Sequence, residues 1–122
     1  MEKLKLVKVA FDMDSHEFSQ GFVEVSQEHA LHDYNSIIGS RMIDIVSISD
    51  EIAVIVDDEG LLVSGNPVFN VQFDQLEMQL AGTLLFASQK DTGEGLELIS
   101  IRNSDFLELA DKLKLRIIGE TK

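Results

Sequence analysis

The sequence predicts a small α+β domain, with a predominantly antiparallel sheet of five to seven strands and two helices. Three observations predict it. Short β-branched and aromatic runs recur with polar turns between them, the pattern of strands joined as hairpins. Two segments, near residues 26–38 and 104–113, instead space their apolar residues as amphipathic helices do. Finally, 122 residues that are 44% hydrophobic and 26% charged can bury one core without a metal or disulfide. No repeat, linker or low-complexity tract divides the chain, so residues 1–122 read as a single domain.

Leu4, Leu6, Val7 and Val9 open a first strand, with Lys3, Lys5 and Lys8 of the kind that blunts an exposed sheet edge. Asp12 to Gly21 reads as a polar connection, and GFVEVS from Gly21 as a short second strand. A helix follows, capped by Ser26, with the early Glu28 suiting the helix dipole and Gly39 as its stop. Its buried stripe would be Ala30, Leu31, Tyr34, Ile37 and Ile38. Residues 42–48 and 52–56 form a hairpin around Ser49-Asp50-Glu51, with Ile43, Ile45 and Ile48 turned to the core.

Asp57-Asp58-Glu59-Gly60 is a tight acidic turn whose glycine can take a positive φ, and Leu61-Leu62-Val63 returns as a strand. Asn66-Pro67 marks another turn, because proline restricts the residue before it to extended geometry. Phe69, Val71 and Phe73 alternate as a strand, whereas Gln75 to Ala81 has the composition of a helical turn. Residues 82–87 and 96–101 are two more strands joined by the polar loop 88–95. Asn103 or Ser104 caps a helix running to about Leu113, with Phe106, Leu107, Leu109, Ala110 and Leu113 on its apolar side. Residues 115–119 add a last edge strand.

Charge is the strongest global feature. Ten Lys and Arg stand against twenty-two Asp and Glu, leaving −12. From Asp12 to Glu97 there are seventeen carboxylates and only two basic residues, Arg41 and Lys90, so that stretch carries −15. Such a field repels polyphosphates, which argues against direct nucleic-acid binding. The absence of cysteine removes thiolate catalysis and thiolate metal sites, and fits a reducing cytoplasm. MEKLKLVKVAF alternates charged and apolar residues, unlike a signal peptide or membrane span, so a cytoplasmic protein with no membrane contact is expected.

No residue set points to catalysis. There is no Gly-x-Ser-x-Gly elbow and no glycine-rich phosphate loop, since Gly93 and Gly95 are flanked by acids. Tyr34 reads as the rim of a helix. His29 and His32, three apart, could share a face with Glu28, Asp33 and His16, but no third ligand is fixed by spacing. Asp12, Asp14 and His16 offer too few oxygens for a calcium loop. No metal or cofactor is expected.

The block from Ile37 to Ile101 resembles domain-of-unknown-function family 3846, found mainly in phages, plasmids and conjugative elements. The pattern is carried by Gly39, by Glu59-Gly60-Leu61, by Asn66, and by the Gly82-Thr83 that starts an aliphatic strand. Pro67 lies where that family is variable, and Ser40-Arg41 replaces a second glycine. The resemblance implies a mobile-element setting and no particular activity.

Two functional classes follow. In the first, the protein is a non-enzymatic acidic interaction module whose partner is another protein, a basic nucleic-acid-binding host factor, met through Asp57, Asp58 and Glu59. Its carboxylates would then stand in for phosphates. In the second, Asn66 lines a pocket for a small molecule or nucleotide, with Arg102, Lys114 and Arg116 reaching its phosphates.

Overall fold

A computed structural model describes residues 2–122, which form an α+β domain. In chain order the elements are β1 (Lys3–Asp12), β2 (Glu17–Ser26), α1 (Ala30–Ile38), β3 (Ile43–Ser47), β4 (Ile52–Asp57) and β5 (Pro67–Phe73). They continue as β6 (Leu76–Ala81), β7 (Leu84–Asp91), β8 (Leu96–Ile99), α2 (Asn103–Lys112) and β9 (Leu113–Glu120). All pairings are antiparallel, as predicted, but the strands divide into two sheets. The larger has the order β2-β1-β7-β4-β3, with β8 beside the end of β7, and the smaller has the order β6-β5-β9.

Two apolar layers explain the burial pattern. One lies between the larger sheet and the smaller sheet with α2, and contains Val7, Val9, Val54, Phe69, Val71, Phe73, Phe86 and Leu109. The other lies on the opposite face of the larger sheet, where Leu4, Leu6, Val25, Ile55 and Leu85 meet Tyr34 of α1. Because both faces of the larger sheet are covered at its centre, Ile52–Val56 and Leu84–Gln89 are buried residue after residue. Burial also pushes the Tyr34 phenol above its ordinary value of 10.0, with a smaller contribution from the charge of Asp33.

Several expectations change. Residues 12–21 are a hairpin turn and the start of a ten-residue strand, β2, because Asp12 pairs with Glu17 and Asp12 Oδ1 accepts the Asp14 and Ser15 N–H groups. That strand covers β1, so the lysine-bearing strand is internal and β2 is the edge. The first helix starts at Ala30; Ser26 Oγ accepts the His29 N–H, and the Asp33 carboxylate accepts the Ser26 N–H at 2.7 Å. Leu31, Ile45 and Leu107 face outward, at 61%, 47% and 59% exposure.

Residues 76–81 form a strand, since Leu76, Met78 and Leu80 alternate toward the core while Glu77 and Gln79 point out. The turn before it puts Asp74 at φ 53°. Strand β7 begins at Leu84 and runs on to Asp91, through much of the expected loop. Neither Asn103 nor Ser104 caps α2, which begins at Asn103 without a side-chain cap. The C-terminal edge strand forms as predicted, at the edge of the smaller sheet.

A polar network joins α2 to the larger sheet. Ser88 Oγ donates to Asp105 Oδ2 at 2.6 Å, and Arg102 Nη1 donates to the same oxygen at 2.9 Å. Arg102 Nη2 reaches the Gln89 carbonyl, while Ser88 Oγ accepts the Arg102 N–H. Ser88, Gln89 and Asp105 are all buried, so this network fixes where the helix starts.

Candidate functional site

Sheet register decides which carboxylates are neighbours. Val9 pairs with Leu84, and Ile55 with Leu85, so β1 and β4 both end beside the start of β7. Asp12, Asp14 and Glu17 of the first hairpin therefore lie at the same end of the sheet as Asp57, Asp58 and Glu59. Asp44 is one residue from that end on β3. At the opposite end, the β3–β4 turn places Asp50 and Glu51 near Asp91, Glu94 and Glu97 of the β7–β8 hairpin. Twelve of the twenty-two carboxylates thus fall in two groups, one at each end of the larger sheet, and the other ten lie elsewhere on the chain.

The Asp57–Gly60 turn is built tightly. Asp57 Oδ1 accepts the Glu59 N–H at 2.9 Å, and the Asp57 carbonyl accepts the Gly60 N–H at 3.0 Å. The Asp58 N–H donates to the Met42 carbonyl. Arg41 Nη2 reaches both Glu59 oxygens, at 3.0 and 3.1 Å, in a pair whose arginine is 85% exposed. Such a pair contributes little to stability, about 0–1 kcal/mol. Asp58 is left exposed.

Leu61-Leu62-Val63 is not a strand. It is a turn continuing from the acidic residues, with the Leu62 and Val63 N–H groups both donating to the Glu59 carbonyl. Leu61, Leu62 and Val63 are 58%, 82% and 47% exposed, and Met42, beside Asp58, is 56% exposed. Asn66 and Thr121 pin this knuckle. Asn66 Nδ2 donates to the Gly60 carbonyl at 2.9 Å, and Thr121 Oγ donates to the Val63 carbonyl. Thr121 Oγ accepts the Asn66 N–H, and the Thr121 N–H donates back to the Asn66 carbonyl. The result is an apolar projection bordered by carboxylates and held by the C-terminal tail. Sequence reasoning missed it, because an aliphatic run after a glycine has the composition of a strand.

The residues of the alternative pocket are dispersed. A small cleft of about 140 Å³ is lined by Gly39, Arg41, Asp57, Glu59, Asn66 and Gly82 among others, so its charged walls are two carboxylates and the arginine that pairs with Glu59. Arg102 is occupied by Asp105 and the Gln89 carbonyl. Lys114 and Arg116 lie on the outer face of the smaller sheet, in a depression with Asn70, Gln72 and Glu77. His29 and His32 are exposed at the start of α1, and His16 sits at φ 59° in the first hairpin turn. No group of three or more His, Asp or Glu among the described residues is placed to hold a metal ion. Nor is any described helix long and apolar enough to cross a membrane.

Residues 12–110 match the family described as Domain of unknown function (DUF3846). The chain belongs to this family. No curated protein and no solved structure matches the chain. In this DUF3846 member the residues that carry the resemblance have identifiable structural roles. Gly39 ends α1 at φ 77°, and Gly82 lies at φ 90° against the Asn66 side chain.

Gly60 differs from the expectation. It is absent from the positive-φ glycines, and what it provides is space: a Cβ would lie 2.7 Å from the Ala81 carbonyl oxygen and 3.2 Å from that of Asp57. Gly60→Ala is therefore expected to destabilise the fold by about 1–3 kcal/mol, as other overpacking changes do. Urea denaturation measures this, and an unchanged midpoint would show that the two backbones can part freely.

Proposed function

We propose that this DUF3846 protein is a non-enzymatic, acidic interaction protein of a phage or mobile genetic element. It engages a basic, nucleic-acid-binding host protein through the knuckle at the end of β4. The observation that carries this reading is the conjunction of Leu61, Leu62, Val63 and Met42, all exposed, with Asp57, Asp58 and Glu59. An apolar centre with a charged border is how protein interfaces combine desolvation with orientation. Holding the knuckle through Asn66 and Thr121 lowers the entropy lost on docking.

The second acidic hairpin, Asp12 to Glu17, lies at the same end and extends the negative field there. Long-range attraction by that field would speed encounter with a basic partner, and carboxylates there would occupy positions that the partner offers to phosphates. The mobile-element setting implied by the family resemblance makes host defence nucleases and regulators the natural class of partner.

The test is affinity capture from bacterial lysate on immobilised protein, at low and at high salt. Basic nucleic-acid-binding proteins are expected at low salt and are expected to be released at high salt. Recovery of no such protein, or retention unchanged by salt, would contradict the proposal.

A further inference from the structure

A cavity of about 360 Å³ lies between the edge of the larger sheet and the elements packed beneath it. Its floor is Val7, Val9 and Phe86, its far wall is Leu109 and Ala110 of α2, and Gln20 of β2 stands at its mouth. None of the residues lining it is charged, in a chain where 26% of residues are. It arises because the larger sheet is wider than its cover. Along β2 the residues paired with Phe11, Val9 and Val7 are Phe18, Gln20 and Phe22, all on the covered face, yet the two phenylalanines remain 53% and 50% exposed.

The rim is ordered rather than loose. Phe18 meets Phe11 edge-on at 4.8 Å between ring centres, Phe22 lies 5.2 Å from Phe106, and Lys5 Nζ sits 4.1 Å over the Phe22 ring. The Gln20 amide has no hydrogen-bond partner among the described residues, so its donor and acceptor are available at the opening.

We propose that this cavity binds an uncharged, elongated apolar molecule with a single hydrogen-bonding end held by Gln20. An apolar cavity of about 150 Å³ takes benzene, so this one has room for roughly a dozen non-hydrogen atoms. Charge complementarity sets the class. A carboxylate or phosphate ligand would meet no cation in the lining, the Lys5 ammonium being seated over the Phe22 ring outside it, and would approach a chain of net charge −12, so it would lose hydration with little compensation. A neutral alcohol, ester or amide with a hydrocarbon tail loses nothing comparable, and its tail gains by leaving water.

The probes are 1-decanol and decanoate, which share a chain and differ in charge, added to the 122-residue chain during thermal unfolding and calorimetric titration. Decanol is expected to raise the Tm by mass action and decanoate to leave it unchanged at neutral pH. Ala110→Trp, which fills the cavity from an exposed helix position, is expected to abolish the decanol shift. Gln20→Leu, on an exposed edge strand, is expected to weaken decanol severalfold while leaving the unliganded Tm in place.

Four outcomes would overturn the proposal: no decanol shift, an equal shift with decanoate, a decanol shift that survives Ala110→Trp, or no loss of affinity in Gln20→Leu. Sedimentation showing a dimer that decanol dissociates would also overturn it, by assigning the cavity to a second copy of the chain. Because neither variant touches residues 57–63, failure here leaves the acidic knuckle untested and intact.

Discussion

Replacing Asp105 with alanine is expected to remove about 3 kcal/mol of stability, chiefly through the loss of two hydrogen bonds to a buried charged group. Asp105 is 4% exposed and accepts both the Ser88 hydroxyl and the Arg102 guanidinium through one oxygen. Its loss leaves Ser88, fully buried, without its acceptor and Arg102 with only the Gln89 carbonyl. Ser88 then carries desolvation without compensation, whereas Arg102, 37% exposed, turns partly to water. Asp105→Asn, which preserves volume and an acceptor, should fall between wild type and alanine. Urea denaturation followed by circular dichroism measures the series, and a loss below about 1 kcal/mol for Asp105→Ala would mean that water replaces the carboxylate easily.

Phe69→Ala is expected to cost a similar about 3–5 kcal/mol, by a different route. Phe69 has no exposed surface and stands on the middle strand of the smaller sheet, facing Val54, Phe86 and the rest of the core between the two sheets. Truncation removes a ring and leaves a void that the flanking strands, held by pairing to Leu80 and Ile117, cannot close. Against a typical total of about 5–15 kcal/mol, that is a large share of the fold's stability. A shift of the urea midpoint equivalent to less than about 1 kcal/mol would indicate that the sheets slide together to fill the space.

The fold was legible wherever periodicity and burial agree. Phe69, Val71 and Phe73 alternate in sequence and in the structure, and the 42–56 hairpin pairs Ile45 with Ile55 around the expected turn. It was illegible where one face is left open. Gly21 to Ser26 reads as a strand and is one, but the first half of β2 carries Glu17, Ser19 and Gln20 on an exposed edge, so Phe18 alone does not mark it as a strand. LEMQLA contains good helix formers, and only its pairing with β5 settles it as a strand.

The candidate site was half legible. Asp57, Asp58 and Glu59 were apparent from composition as an acidic turn. The knuckle beside them was not, because exposure of Leu62 depends on Asn66 and on Thr121, fifty-five residues further along the chain. Single-sequence periodicity carries no information about such a contact. The role of Gly60 was hidden for the same reason, since the Ala81 carbonyl that crowds it arrives from β6.

The knuckle's part in binding is tested by repeating the lysate capture with two variants that keep the fold. One is Leu61→Ser with Leu62→Ser, and the other is Asp57→Asn with Asp58→Asn and Glu59→Gln. If the knuckle is the contact, the salt-sensitive partner is lost from the serine variant and captured weakly by the neutralised one, with both melting near wild type. Equal capture of the same partner by all three proteins would show that the knuckle is not the contact, because binding would then need neither the apolar projection nor its acidic border.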